Sequence, residues 1–92
     1  MDYRVLEGSR MTDREDAHRH IAEVLGFPDW YGGNLDALWD LLTELGPTAL
    51  LLTDPQDLLP DDPDYRDELL DTLAQAAMEN PLFHFTVEER GF

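Results

Sequence analysis

The hexapeptide TALLLT, Thr48–Thr53, is an unbroken apolar run between turn signals, with Gly46-Pro47 before it and a proline-rich stretch after it. A strand with one wet face alternates apolar and polar residues. An unbroken run suits a strand buried on both faces of a parallel sheet. Upstream, Asn34 to about Leu45 carries leucines at helical spacing, with Asn34 as N-cap and Gly46-Pro47 as the stop. Ahead of that helix lies a short aromatic, glycine-rich loop, FPDWYGG, Phe27 to Gly33. Another helix precedes the loop. Ala17, Ile21, Val24 and Leu25 fall on one side of it, a capping box of Thr12 and Glu15 opens it, and Gly26 and Pro28 stop it. Tyr3 to Glu7, YRVLE, reads as a short strand closed by Gly8.

Downstream of TALLLT, residues 54–64 hold three of the six prolines and five aspartates, which predicts a loop with one helical turn around Pro55 to Leu59. A helix is expected from about Asp64 to Glu79, with Leu69, Leu70, Leu73, Ala76 and Ala77 on one face and Asn80-Pro81 as its end. In Phe83 to Glu88, Phe83, Phe85 and Val87 alternate with His84, Thr86 and Glu88, the pattern of a strand with one drier face. Strands separated by helices imply right-handed crossovers. The expected fold is therefore α/β: a three-stranded parallel sheet packed by helices in a single domain over residues 1–92. The spatial order of the strands is open at this level.

Charge narrows the functional classes. The 92 residues carry 21 Asp plus Glu against six Arg and no Lys, a net charge of −15. Such a chain repels nucleic acid and anionic membrane and is drawn to basic surfaces. The plain alternative is a solubility adaptation. No apolar run reaches the roughly 18 residues of a membrane span, and the opening MDYRVLEGSR does not read as a secretory leader. With no cysteine, neither a disulfide frame nor a thiolate metal site can form. The expectation is a cytoplasmic protein.

On a helical wheel at about 100° per residue, Leu35, Leu38, Leu41, Leu42 and Leu45 fall on one broad side of the second helix and Asp36, Asp40, Thr43 and Glu44 on the other, with Trp39 at the border. The apolar side is core. The polar side could be an ordinary solvated face, but Asp36 and Asp40 are a like-charged i, i+4 pair, which costs a few tenths of a kcal/mol. No basic residue lies between Arg19 and Arg66 to offset it. Trp30 and Tyr31 stand just in front of this helix. Aromatics beside uncompensated acids suit a protein-binding patch.

The stretch PDWYGGNLDALWDLLT, Pro28 to Thr43, resembles the barstar family, and NLDALWD, Asn34 to Asp40, is its most specific part. The resemblance extends more weakly over nearly the whole chain. It implies a barstar-like fold and a stoichiometric inhibitor that blocks the active site of a basic, secreted, guanyl-specific ribonuclease of the barnase type, as a monomer in a 1:1 complex. By that resemblance Asp40 enters the nuclease's phosphate pocket, Asp36 contacts further donors beside it, and Tyr31 stacks on the catalytic histidine with Trp30 as a second interfacial aromatic. Gly32, Asn34, Leu35, Trp39 and Thr43 line the rest of the patch. The chemistry is coherent, because a carboxylate offers arginine forks the same oxygen acceptors that a phosphate does. Two positions depart from the family: Gln75 stands where a third interfacial glutamate is expected, and Gly33 where a side chain is common.

Other polar residues read as structural. His18, His20 and His84 share no metal or catalytic spacing. Asp61, Asp62 and Asp64 lack the glycine and spacing of a calcium loop. Asp36 and Asp40 could be imagined as an acid–base pair but sit on a convex face without a nucleophile. The expectation is no catalytic residue, no metal, no cofactor, no small-molecule ligand, no nucleic acid and no membrane partner. The competing reading is an acidic interaction module for some other basic protein.

Overall fold

The computed structural model describes residues 3–88. Strand β1, Tyr3–Glu7, leads through a 3-10 turn to helices α1, Arg14–Leu25, and α2, Leu35–Thr43. Strand β2, Thr48–Thr53, leads through a second 3-10 turn at Pro55–Asp57 to α3, Pro63–Glu79, and β3, Phe83–Val87. The elements are those expected, and the sheet is parallel, with spatial order β1-β2-β3. TALLLT is its central strand, paired along its length with both neighbours (Leu52 faces Leu6 on one side and Val87 on the other).

Each strand is added on the same side of the last, so right-handed crossovers place all three helices on one face. Burial agrees. Leu6, Leu50, Leu52 and Phe83 share one face of the sheet and form the core with Ile21, Leu25, Leu38, Leu42, Leu69 and Leu73. The other face carries Tyr3 and Val5, 65% and 46% exposed, and the exposed His84 and Thr86. The expectation that TALLLT is buried on both faces is therefore corrected. Ala49 and Leu51 lie on the uncovered face and are screened by the strands to either side, not by a second layer.

Two local details also differ from the sequence reading. Helix α1 is capped by Asp13, not Thr12: its Oδ1 accepts from the Asp16 N–H at 2.8 Å, while Glu15 pairs with Arg19. An aspartate cap satisfies the same orphan N–H as a threonine and adds a negative charge at the positive end of the helix dipole. Gly8 ends β1 where a Cβ would overlap the backbone carbonyl of Asp54, so the chains leaving β1 and β2 cross in direct contact.

Candidate functional site

Helix α2 is built as its periodicity requires. Leu38 and Leu42 are fully buried; Leu35, Trp39 and Leu41 are half-buried. Asp36, Asp40 and Glu44 are exposed on the opposite side. Neither Asp36 nor Asp40 enters an ion pair among the described residues. The fold brings one cation to this end of the helix: Arg14 of α1 lines the same recess as Asn34, Leu35, Asp36 and Tyr65. Its guanidinium is already engaged, 2.6 Å from Asp62 and 4.2 Å over the Tyr65 ring. That pairing holds the Asp62 carboxyl below its usual range.

Both ends of α2 are tied down. At the N-terminus, Asn34 Oδ1 accepts from the Ala37 N–H at 2.8 Å, as predicted. At the C-terminus the helix stops at Thr43, two residues short of the expected Leu45, because the last turn tightens and a side chain from elsewhere takes its carbonyls. Asn80, only 6% exposed at the end of α3, donates its Nδ2 to the carbonyls of Leu42 and Leu45, each at 2.9 Å. Its Oδ1 accepts from the Leu82 N–H at 3.0 Å. Every donor and acceptor of that buried amide group has a specific use, and sequence reasoning saw in Asn80 only a helix stop. Thr43 turns its hydroxyl inward, to the carbonyls of Trp39 and Asp40 at 3.0 and 3.1 Å.

The loop before α2 places Trp30 and Tyr31 in different surroundings. Trp30 is 75% exposed. Tyr31 is half-buried, 5.0 Å centroid to centroid from Phe27, and its hydroxyl lies 2.6 Å from His18 Nδ1. His18 is 4% exposed, and its Nε2 lies 2.6 Å from the Tyr65 hydroxyl. Burial lowers the His18 pKa and raises that of the Tyr31 phenol, so both are neutral near pH 7. The sequence signal for His18 was present but easily passed over: it sits three and seven residues before Ile21 and Leu25, on the apolar face of α1. Gly32 is exposed, and Gly33 adopts φ +67°, which glycine reaches without strain. A cleft of about 630 Å³ opens between this loop and α1, lined among others by Arg14, His18, Phe27, Tyr31 and Gly32.

Of the residues expected in the patch, Trp30, Gly32, Asn34, Asp36 and Asp40 are exposed, and Tyr31, Leu35, Trp39 and Thr43 are half-buried at its base. Gln75 lies on the exposed side of α3, where its amide donates to the Asp71 carboxylate at 3.1 and 3.3 Å. Among the described residues no group of three or more His, Asp or Glu side chains could hold a metal ion, and no helix is long and apolar enough to cross a membrane.

Known proteins resemble this chain. A stretch of 39 residues is 46% identical to a Bacillus subtilis (strain 168) protein described as "Putative ribonuclease inhibitor YrdF", covering 42% of this chain and 43% of that relative. Residues 1–89 match the family described as Barstar (barnase inhibitor). With that match spanning nearly the whole chain and a three-stranded parallel sheet packed by helices beneath it, the protein belongs to the barstar family.

Proposed function

We propose that the protein is a stoichiometric inhibitor of an extracellular guanyl-specific microbial ribonuclease, acting in the cytoplasm as a monomer in a 1:1 complex. The observation that carries this reading is the presentation of Asp36 and Asp40: two exposed carboxylates one turn apart, unpaired among the described residues, on a helix anchored at both ends. A rigid carboxylate loses little freedom on docking and can occupy a site built for phosphate. Tyr31, half-buried with its hydroxyl on His18, offers its ring for stacking, and Trp30, exposed at the edge of the loop, is the second interfacial aromatic. The net charge of −15 favours encounter with a basic enzyme. Membership of the barstar family supports the same reading.

The test is titration of guanyl-specific ribonucleases with the purified protein while RNA cleavage is followed. Cleavage should fall linearly and vanish at one equivalent. Full cleavage in a severalfold molar excess, across a panel of such enzymes, would show that the reading is wrong. A second reading, docking on a different basic protein, is favoured by Gln75, a neutral amide hydrogen-bonded to Asp71 where the family resemblance leads to a glutamate. It predicts complex formation with the same α2 face and no effect on RNA cleavage.

A further inference from the structure

His18 occupies a helical position among Ala17, Ile21 and Leu25, all buried, where an alkyl side chain would fill the space without a polar cost. Burying an imidazole is unfavourable unless both ring nitrogens find partners. Here both do, and the partners come from two other elements: Tyr31 from the loop before α2 and Tyr65 from the first turn of α3. A neutral imidazole has one donor and one acceptor. One phenol therefore donates to the bare ring nitrogen, and the other accepts from the ring N–H. Tyr31 follows Trp30 directly and closes a turn through its own N–H to the Pro28 carbonyl at 3.0 Å. Fixing the Tyr31 phenol thus fixes the turn that carries the exposed tryptophan.

We propose that His18 is a positioning residue for docking: its Nδ1 contact to Tyr31 holds the Phe27–Gly33 loop with Trp30 turned outward, while its Nε2 contact to Tyr65 seats the ring against α3. The inference rests on the inhibitor reading for the identity of the partner, but not for the state of the loop. The alternative is a plain structural histidine that stabilises the whole domain and favours no part of the surface.

The two nitrogens allow the alternatives to be separated. An asparagine amide carries its polar atoms at the δ position and a glutamine amide at the ε position. His18→Asn therefore keeps a partner for Tyr31 and loses Tyr65; His18→Gln does the reverse. Both variants should melt earlier than the parent. Backbone hydrogen exchange over residues 29–33 of the free protein should be about fivefold to tenfold faster in His18→Gln than in His18→Asn, the equivalent of about one buried hydrogen bond. Tyr31→Phe, which removes a single hydroxyl and is the mildest change, should accelerate the same amides. Equal exchange in the two His18 variants, or a slow loop in Tyr31→Phe, would overturn the proposal.

A second arm measures inhibition of a guanyl-specific ribonuclease. His18→Gln should lose about fivefold to tenfold more affinity than His18→Asn, and adding Tyr31→Phe should abolish the difference. Equal losses in both variants would overturn the docking role even if exchange differs. If the parent protein inhibits no such enzyme, the inhibitor reading fails by itself, and the exchange measurement on the free protein still decides whether His18 holds the loop.

Discussion

On the inhibitor reading, Asp40 serves recognition and not the fold. Its side chain is exposed, enters no ion pair among the described residues, and stands one turn from a second aspartate. In a complex it would face several cations of the partner, and removing it would leave them desolvated and unpaired. Asp40→Ala should therefore cost about 3–5 kcal/mol of binding, Asp36→Ala less, and Glu44→Ala almost nothing. The melting temperature of Asp40→Ala should be unchanged or slightly raised, since a repulsive i, i+4 pair is relieved. Isothermal titration against an inhibited ribonuclease, paired with thermal melts of the three variants, checks both halves. Tight binding by Asp40→Ala, or its unfolding, would mean that the docking face has been misplaced.

At the scale of the element, α2 is a short helix, Leu35–Thr43, too short to hold itself in water. Its buried leucines, the Asn34 cap and the Asn80 side chain hold it instead. Asn80→Ala would leave the Leu45 carbonyl and the Leu82 N–H without the amide and would take one of two donors from the Leu42 carbonyl, which keeps the Leu45 N–H at 3.3 Å. It should destabilise the protein by roughly 2–4 kcal/mol, since each buried group left unsatisfied costs about 1–3 kcal/mol and some of them relax. The signature is the reverse of Asp40→Ala: a lowered midpoint in urea, with the folded fraction still binding. A loss of unfolding free energy of less than about 0.5 kcal/mol would show that water replaces the amide freely.

Two predictions belong to the whole molecule. With a net charge of −15 and a basic partner, the association rate should fall steeply from low salt to about 0.15 M, where the screening length is roughly 8 Å, while dissociation changes little. Stopped-flow rates indifferent to salt would remove long-range steering from the account. The second prediction concerns acid. His18 and His20 are buried with lowered pKa values, chiefly by desolvation, and His20 Nε2 accepts from the Glu7 N–H at 3.0 Å, a bond that only an unprotonated nitrogen can make. The unfolded chain takes up protons near the ordinary value of 6.5, and the folded chain resists them. Their contribution is thus complete above about pH 6.5 and is lost as pH falls below it. The melting temperature should drop between about pH 7.5 and about pH 5.5. The drop should be smaller in His20→Gln, whose Oε1 can accept from Glu7 at any pH; an equal drop in that variant would rule His20 out.

The sequence by itself determined the elements and the polarity of α2. Those features depend on residues within about four positions of one another: leucine spacing in α2, the Asn34 cap, the Gly46-Pro47 stop, the alternation in β3. It also carried the family resemblance, concentrated in Asn34 to Asp40. Only the tertiary structure decided how those pieces meet. Thirteen residues separate His18 from Tyr31, 47 separate it from Tyr65, and 38 separate Asn80 from Leu42; no local pattern encodes such pairs. The strand order was undetermined for the same reason. TALLLT looked buried on both faces because an apolar run cannot distinguish a second layer from the shelter of two flanking strands. The α1 cap fell to Asp13 because neighbouring threonine and aspartate compete for one orphan N–H, and the carboxylate gains from the helix dipole as well. Local chemistry placed Asp36 and Asp40 on the outward side of α2; the anchoring of that helix comes from side chains that reach it across the core.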